Sequence, residues 1–139
     1  MMMVGIGCRA ETNADAVIAL VREAVARWGM PDALAVPPFR KNHPGVRAAA
    51  KALSLPVRVV DFLALASAQP RCLTHSERAR RAVGFGSIAE GCALAALGPA
   101  ARLLGPRLAA EGVTCAFART TATAKDSLTA YFKKTGRSR

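Results

Sequence analysis

Four short segments of this chain hold the residues best able to bind or transform a ligand. Gly5-Ile6-Gly7-Cys8-Arg9 places two glycines at the end of an apolar run. Gly5 and Gly7 would let backbone amides approach a ligand closely. A helix starting just beyond would add partial positive charge, and Arg9 could then hold a carboxylate. The spacing is not GxGxxG and Glu11 stands beside the turn, so this is no dinucleotide fingerprint; a tight strand-to-helix turn explains the glycines equally well. Phe39-Arg40-Lys41-Asn42-His43 groups three potential cations. Lys41 suits an anion and His43 a ligand contact or a proton carrier. The segment has no second His and no carboxylate, so it indicates no catalytic dyad; the alternative is a solvated loop. Thr74-His75-Ser76-Glu77 is followed by Arg78, Arg80 and Arg81. Adjacency of His75 and Ser76 does not make a nucleophile with its base, because geometry decides that. Capping of a helix by Thr74 and Glu77 accounts for the motif without function. Gly84-Phe85-Gly86-Ser87-Ile88-Ala89-Glu90 puts two glycines before a helix, an anion-facing arrangement through Gly86 and Ser87. Glu90 would repel an acidic ligand, so a capping box with Ser87 is the simplest role for it.

The elements that must position these segments follow from periodicity. Met2 to Ile6 reads as a buried strand. Val17, Leu20, Val21, Ala24, Val25 and Trp28 recur at steps of three and four, one face of an amphipathic helix capped near Thr12 and Asp15 and stopped by Gly29. Ala33 to Val36 is a second strand, Pro44 opens a helix with Val46, Ala49, Ala50 and Leu53 on its apolar face, and Val57 to Val60 is a third strand. A short helix follows through Phe62 and Leu65. Helices are expected after Thr74 and after Ser87, the second ending near Gly98 and Pro99. Arg102 to Leu104 and Val113 to Ala118 are the last strands expected, as a hairpin around Gly105, Pro106 and Gly112. Alternating strands and helices imply a single α/β layered domain, a small mostly parallel or mixed sheet flanked by helices, over residues 1–119. Residues 120–139 read as a basic tail, with a turn of helix at Ser127 to Tyr131. Ligands of open α/β sheets bind outside the carboxyl ends of strands, here the loops after Ile6, Val36, Val60 and Ala118.

Bulk composition narrows the partner. Of 139 residues, 20 are Lys or Arg and 9 Asp or Glu, a formal charge of +11. Such a surface attracts anions over about 8 Å at physiological salt. Arginine suits bidentate contacts with carboxylate or phosphate better than lysine does. Cys8, Cys72, Cys92 and Cys115 form no CxxC pair, which argues against a zinc ribbon. No leader and no membrane-length apolar run is evident, so the expectation is a cytoplasmic protein without a membrane partner.

Four stretches, Gly5-Ile6-Gly7-Cys8-Arg9, Lys41, Thr74 to Glu77 with Gly84 to Glu90, and Val113-Thr114-Cys115-Ala116-Phe117-Ala118-Arg119, together resemble the cobalamin-biosynthesis family that includes CobE and the C-terminal domain of CbiG. The likeness covers residues 3 to 119. Two departures stand out: Asn42, His43 and Pro44 follow Lys41 where the family usually has an acid, and Arg107 stands where lysine is common. The resemblance implies work on the corrin ring of vitamin B12, and for a stand-alone domain the aerobic route. It implies an acidic corrin or precorrin ligand, with other enzymes of the pathway as further partners. The contact set is then Gly5, Gly7, Cys8, Arg9, Lys41, His43, His75, Ser76, Gly86, Ser87, Glu90, Arg107 and Thr114, with no catalytic residue, metal or cofactor. Corrin precursors carry carboxylates around their rim, which suits an arginine-rich surface.

Two other classes compete. A precorrin hydrolase or isomerase would have to draw its acid and base from His43, His75, Ser76 and Glu90. A nucleic-acid binder would use the net charge, but the chain has only seven aromatics for stacking bases and no known motif, so nucleic acid is not the expected partner.

Overall fold

The computed structural model describes residues 1–120. The tail expected at 120–139, with its helical turn, lies outside the described residues beyond Thr120. The described residues form five α-helices and six strands, alternating as far as α3 and then grouped: β1 Met2–Cys8, α1 Ala14–Trp28, β2 Ala33–Val36, α2 Pro44–Ala52, β3 Val57–Val59, α3 Phe62–Ala68, α4 Glu77–Val83, α5 Ile88–Leu97, β4 Ala101–Leu103, β5 Leu108–Ala110 and β6 Val113–Thr120. They form one mixed sheet in the order β3-β2-β1-β6-β4, with β5 also paired to β6. β1, β2 and β3 are parallel, and β6 runs antiparallel to β1 with Gly7 opposite Thr114. This is the layered α/β domain the sequence predicts. Among the described residues no helix is long and apolar enough to cross a membrane.

The two faces of the sheet follow from the alternation of side chains along each strand. Val4 and Ile6 of β1, Leu34 and Val36 of β2, and Cys115 and Phe117 of β6 bury against Val17, Leu20 and Val21 of α1 and Val46 and Ala49 of α2. The opposite face carries small residues, so α5 sits directly on it. A Cβ at Gly5 would overlap the Ala89 carbonyl oxygen and stand 2.7 Å from the Ala93 nitrogen. A side chain at Gly91 would meet Gln69 Nε2 and Leu65 Cδ1, both at 2.6 Å, so α3 presses on α5 in turn. Gly5 therefore serves the packing of α5 on the sheet.

The last strands differ from the sequence expectation. The hairpin is formed by β5 and β6, joined by Glu111 and Gly112 with φ of 53° and 79°. Two successive residues of positive φ are the signature of the type I′ turn that suits twisted strands. The segment around Arg102 instead pairs further along the same edge of β6, with Leu103 opposite Ala118. Leu108-Ala109-Ala110 is too short and too plain a run to announce itself as a strand; the turn is what selects it.

Helix caps also differ from the expected boxes. Asn13, one residue beyond Thr12, caps α1 by accepting from the Ala16 N–H, and Ser76 caps α4 by accepting from Ala79. Thr12 donates to the Gly112 carbonyl, tying the start of α1 to the hairpin.

Replacing Gly5 by Ala should lower stability by at least about 1–3 kcal/mol, because the new methyl meets backbone that cannot rotate aside. Thermal or urea unfolding of the variant checks this; an unchanged midpoint would mean that α5 is not seated on β1 as described.

Candidate functional site

A cleft of about 510 Å³ opens at the C-terminal end of β1. Gly7, Cys8 and Arg9 form its back, Phe39 and Arg40 one side, and Ser76, Arg78, Ala79, Ala82 and Val83 of the α4 region the other. Ile88, Arg107 and the hairpin residues Ala109 to Thr114 complete it. Of the four strand-end loops expected, those after β1 and β2 contribute. The loops after Val60 and Ala118 do not. Because β6 is antiparallel to β1, its beginning, at Val113 and Thr114, lies beside the end of β1.

Each wall is held by a polar group buried behind it. Glu90, in the first turn of α5, is fully buried. Its Oε1 accepts from the Leu73 N–H at 3.0 Å, the Thr74 N–H at 2.8 Å and the Ser87 hydroxyl at 2.9 Å. Its Oε2 accepts from the Thr74 hydroxyl at 2.9 Å and the Arg107 N–H at 3.0 Å. All five donors are uncharged, and the carboxylate stands where the α5 N-terminus favours negative charge. It thus joins the segment leading into α4, the start of α5 and the backbone of Arg107. The expected capping box does not form: Ser87 turns its hydroxyl to Glu90 and makes no side-chain cap to its own helix. Gln69 fixes Ser87 further, donating to its carbonyl at 2.9 Å and accepting from its N–H at 3.1 Å.

The opposite wall is tied by His43 and Arg40. His43 is buried and caps α2, its Nδ1 accepting from the Val46 N–H at 3.2 Å. Its Nε2 lies 3.1 Å and 2.9 Å from the carbonyls of Arg9 and Ala10, which can only accept. Both ring nitrogens are engaged, as a neutral imidazole protonated at Nε2. Arg40 Nε donates to the Cys8 carbonyl at 2.9 Å while its guanidinium lies 5.0 Å from the Phe39 ring centroid. The Arg9 N–H donates to the Gly112 carbonyl, and Gly112, at positive φ, leaves room for the Arg9 side chain beside it.

Of the expected contact residues, Gly7, Cys8, Arg9, Ser76, Arg107 and Thr114 line the cleft. Gly5, His43, Ser87 and Glu90 lie outside its lining, in the framework behind it. Lys41 is exposed outside it, its carbonyl accepting from Arg47. His75 and Gly86 lie with Ser76, Arg80 and Phe85 around a second pocket of about 340 Å³. Ser76 borders both cavities, but its hydroxyl is committed to capping α4. The sequence reading omitted Phe39, Arg40 and Arg78 from the contact set. The phase of α4 could have found Arg78: residues 78, 79, 82 and 83 share one helical face, while Arg80 and Arg81 point away toward Glu77.

The result is a cavity with apolar walls and four arginines, Arg9, Arg40, Arg78 and Arg107, none in an ion pair with a described carboxylate. Glu111 is the one acid in the lining. Cys8 is half-buried there; burial pushes its thiol above the ordinary value, and nearby Arg40 pulls partly back. Cys115, behind the sheet, is raised to about 12 by burial.

The chain matches the family described as cobalamin synthesis G C-terminus over residues 2–118. It is 30% identical over 121 residues to Protein CobE of Sinorhizobium sp., which spans 84% of this chain and 79% of that protein. The crystal structure of CobE, a protein from the cobalamin (vitamin B12) biosynthetic pathway, superposes with a TM-score of 0.80 at 32% identity, covering 88% of this chain and 95% of the other. That of cobalamin biosynthesis protein chiG from Agrobacterium tumefaciens superposes with a TM-score of 0.71 at 38% identity, covering 88% and 100%.

Glu90→Gln should destabilise the fold by about 1–3 kcal/mol, since the amide NH2 cannot accept from Arg107 or Thr74 when its oxygen serves the other three donors. Glu90→Ala, which strands all five, should cost more. Urea denaturation of the two variants checks both the sign and the order.

Proposed function

We propose that this chain, which belongs to the cobalamin synthesis G C-terminus family and so to cobalamin biosynthesis, binds an acidic corrin intermediate in the cleft beside β1 and handles it without transforming it. The observation that carries this reading is the set of four arginines around apolar walls. A corrin acid has the matching character: a largely apolar macrocycle with carboxylates on its rim. Apolar contact with Ala79, Ala82, Val83, Ile88 and Val113 would remove the ring from water. Arg9, Arg78 and Arg107 would pair with rim carboxylates, each contact charge-assisted. Likeness to CobE proteins over most of their length favours the aerobic route implied by the resemblance.

The groups that turnover would need are engaged elsewhere. His43 has no free ring nitrogen, Glu90 accepts five hydrogen bonds beneath the surface, and Ser76 caps a helix. His75 lies on the second pocket, away from the arginines. That favours binding over a hydrolase or isomerase. A nucleic-acid backbone calls for cations spread along a groove, whereas these converge on one cavity.

Titration with hydrogenobyrinic acid, followed by its visible spectrum, should give saturable binding that weakens with added salt. Arg9→Ala, Arg78→Ala and Arg107→Ala should each lower affinity roughly tenfold or more, the size of a lost hydrogen bond between charged groups. Lys41→Ala, outside the cleft, should change it little. Absence of binding at low salt, or binding indifferent to all three arginines, would remove the reading.

Cys8 gives an independent readout. With its thiol raised by burial, alkylation by iodoacetamide should be slow at pH 8 and accelerate as pH rises through the alkaline range, because the thiolate is the nucleophile. Bound corrin acid should slow it further; Cys92, which burial raises beyond the alkaline range, should stay unreactive until the protein unfolds. Mass spectrometry of modified peptides reads both.

A further inference from the structure

Beside the cleft lies an apolar ridge whose exposed middle neither cavity contains. Phe39, Phe62 and Phe85 stack in a row, with ring centroids 6.1 Å apart at each step and planes inclined by 16° and 10°. The Arg40 guanidinium caps the row over Phe39. Phe62 and Leu63 open α3 and are 49% and 79% exposed, and Val59, at the end of the edge strand β3, is 46% exposed. α3 buries only Leu65 and Ala68, so its first turn contributes to the surface and not to the core.

The ridge has the wrong shape for a small molecule. Phe62, Leu63 and Val59 line neither cavity. Phe39 lies between Arg40 and Phe62, and Phe62 between Phe39 and Phe85, so a flat ligand finds ring edges there instead of an open face. Protruding aromatic and leucine side chains with arginine beside them are the usual anchors of protein interfaces. Phe39 and Phe85 are also walls of the first and second cavities, which places one end of the ridge at the wall of the cleft.

Charge decides the kind of partner. The Arg40 guanidinium stands over Phe39 at one end of the ridge, exposed Lys41 follows it and exposed Arg58 lies on β3 ahead of α3, while the one carboxylate in the stretch 57–63, Asp61, is held as the cap of α3 by the Ala64 N–H. A second copy of this chain would bring the same cations against these, a repulsive juxtaposition. A protein with an apolar groove and an acidic rim is complementary.

We propose that the Phe39–Phe62–Phe85 ridge with Leu63 docks such an acidic-rimmed protein, one that makes or consumes the corrin acid and exchanges it with the adjoining cleft. This rests on the corrin-binding reading of the cleft. The test uses the full chain immobilised for interferometry, with each purified enzyme that produces or uses a corrin acid as the probe, at 50 and 500 mM salt. Sedimentation of the chain alone runs in parallel. The expected result is that one enzyme binds, more weakly at high salt. Phe62→Ser combined with Leu63→Ser, and separately Arg58→Glu, should weaken that binding tenfold or more while leaving corrin-acid titration unchanged. Corrin binding with no enzyme bound, enzyme binding untouched by both variants, or self-association lost in Phe62→Ser/Leu63→Ser each overturns the docking proposal alone. Failure of the titration itself overturns the reading of the cleft and the proposal with it.

Discussion

The carboxylate of Glu90 is the constraint on which the cleft depends. It sits with no solvent exposure on the first turn of α5, and five donors from three separated stretches of chain converge on it. Residues 73 and 74 lead into α4, Ser87 begins α5, and Arg107 precedes the hairpin strand β5. These are part-buried loop segments whose backbone N–H groups find their protein partner in this one carboxylate, and losing it would cost up to about 1–3 kcal/mol each. An apolar residue in that place could fill the volume but not the valences. Because one group satisfies them together, the far wall of the cleft is assembled as a unit, and Arg107 is aimed from a fixed backbone.

The near wall is built in the same way from different chemistry. His43 bridges the helix it caps to the two carbonyls that follow β1, and Arg40 bridges the end of β1 to the turn after β2. Between the walls, α5 lies flat on Gly5, so the start of that helix is brought down to the end of β1 and Ile88 becomes part of the floor. The cavity is thus what remains where a helix seated without side-chain spacing, a two-residue hairpin and two strapped loops meet.

Much of this was legible in the sequence. The period of α1, the β-rich runs ending at Gly7, Val36 and Val60, and the glycine stops gave the α/β layering, because local pattern and burial agree there. That the four segments come together was legible in part: each sends residues to the lining of the cleft, though Arg40 and Arg78 were not among those chosen. Their roles were not. Ser87 and Glu90 have capping-box spacing, yet the box is displaced because Leu73, Thr74 and Arg107, distant in sequence, supply more donors than one helix end. His43 reads as a ligand because only one of its partners, the Val46 N–H, is near it in sequence; its acceptors, at Arg9 and Ala10, are 34 and 33 residues away. Tertiary hydrogen bonds are what a linear pattern leaves out. β5 was missed for a related reason, since three small apolar residues become a strand only because Glu111 and Gly112 turn them onto β6.

A division of labour follows between two kinds of polar residue. Those with short or compact side chains, Glu90, His43, Gln69 and Ser87, are fully engaged with the protein and hold the walls. The long cations Arg9, Arg78 and Arg107 line the space and pair with no described carboxylate. An anion arriving in the cleft therefore breaks no ion pair in order to form its own, and the unbalanced positive field reaches beyond the cavity by about a Debye length. The walls are held by hydrogen bonds within the protein, so little backbone ordering would oppose binding. The contacts proposed there would be solvent-facing guanidinium–carboxylate pairs, which salt and competing water weaken. Rigid walls with exposed cations would favour fast capture and ready release, as the proposed handling of an acidic intermediate requires.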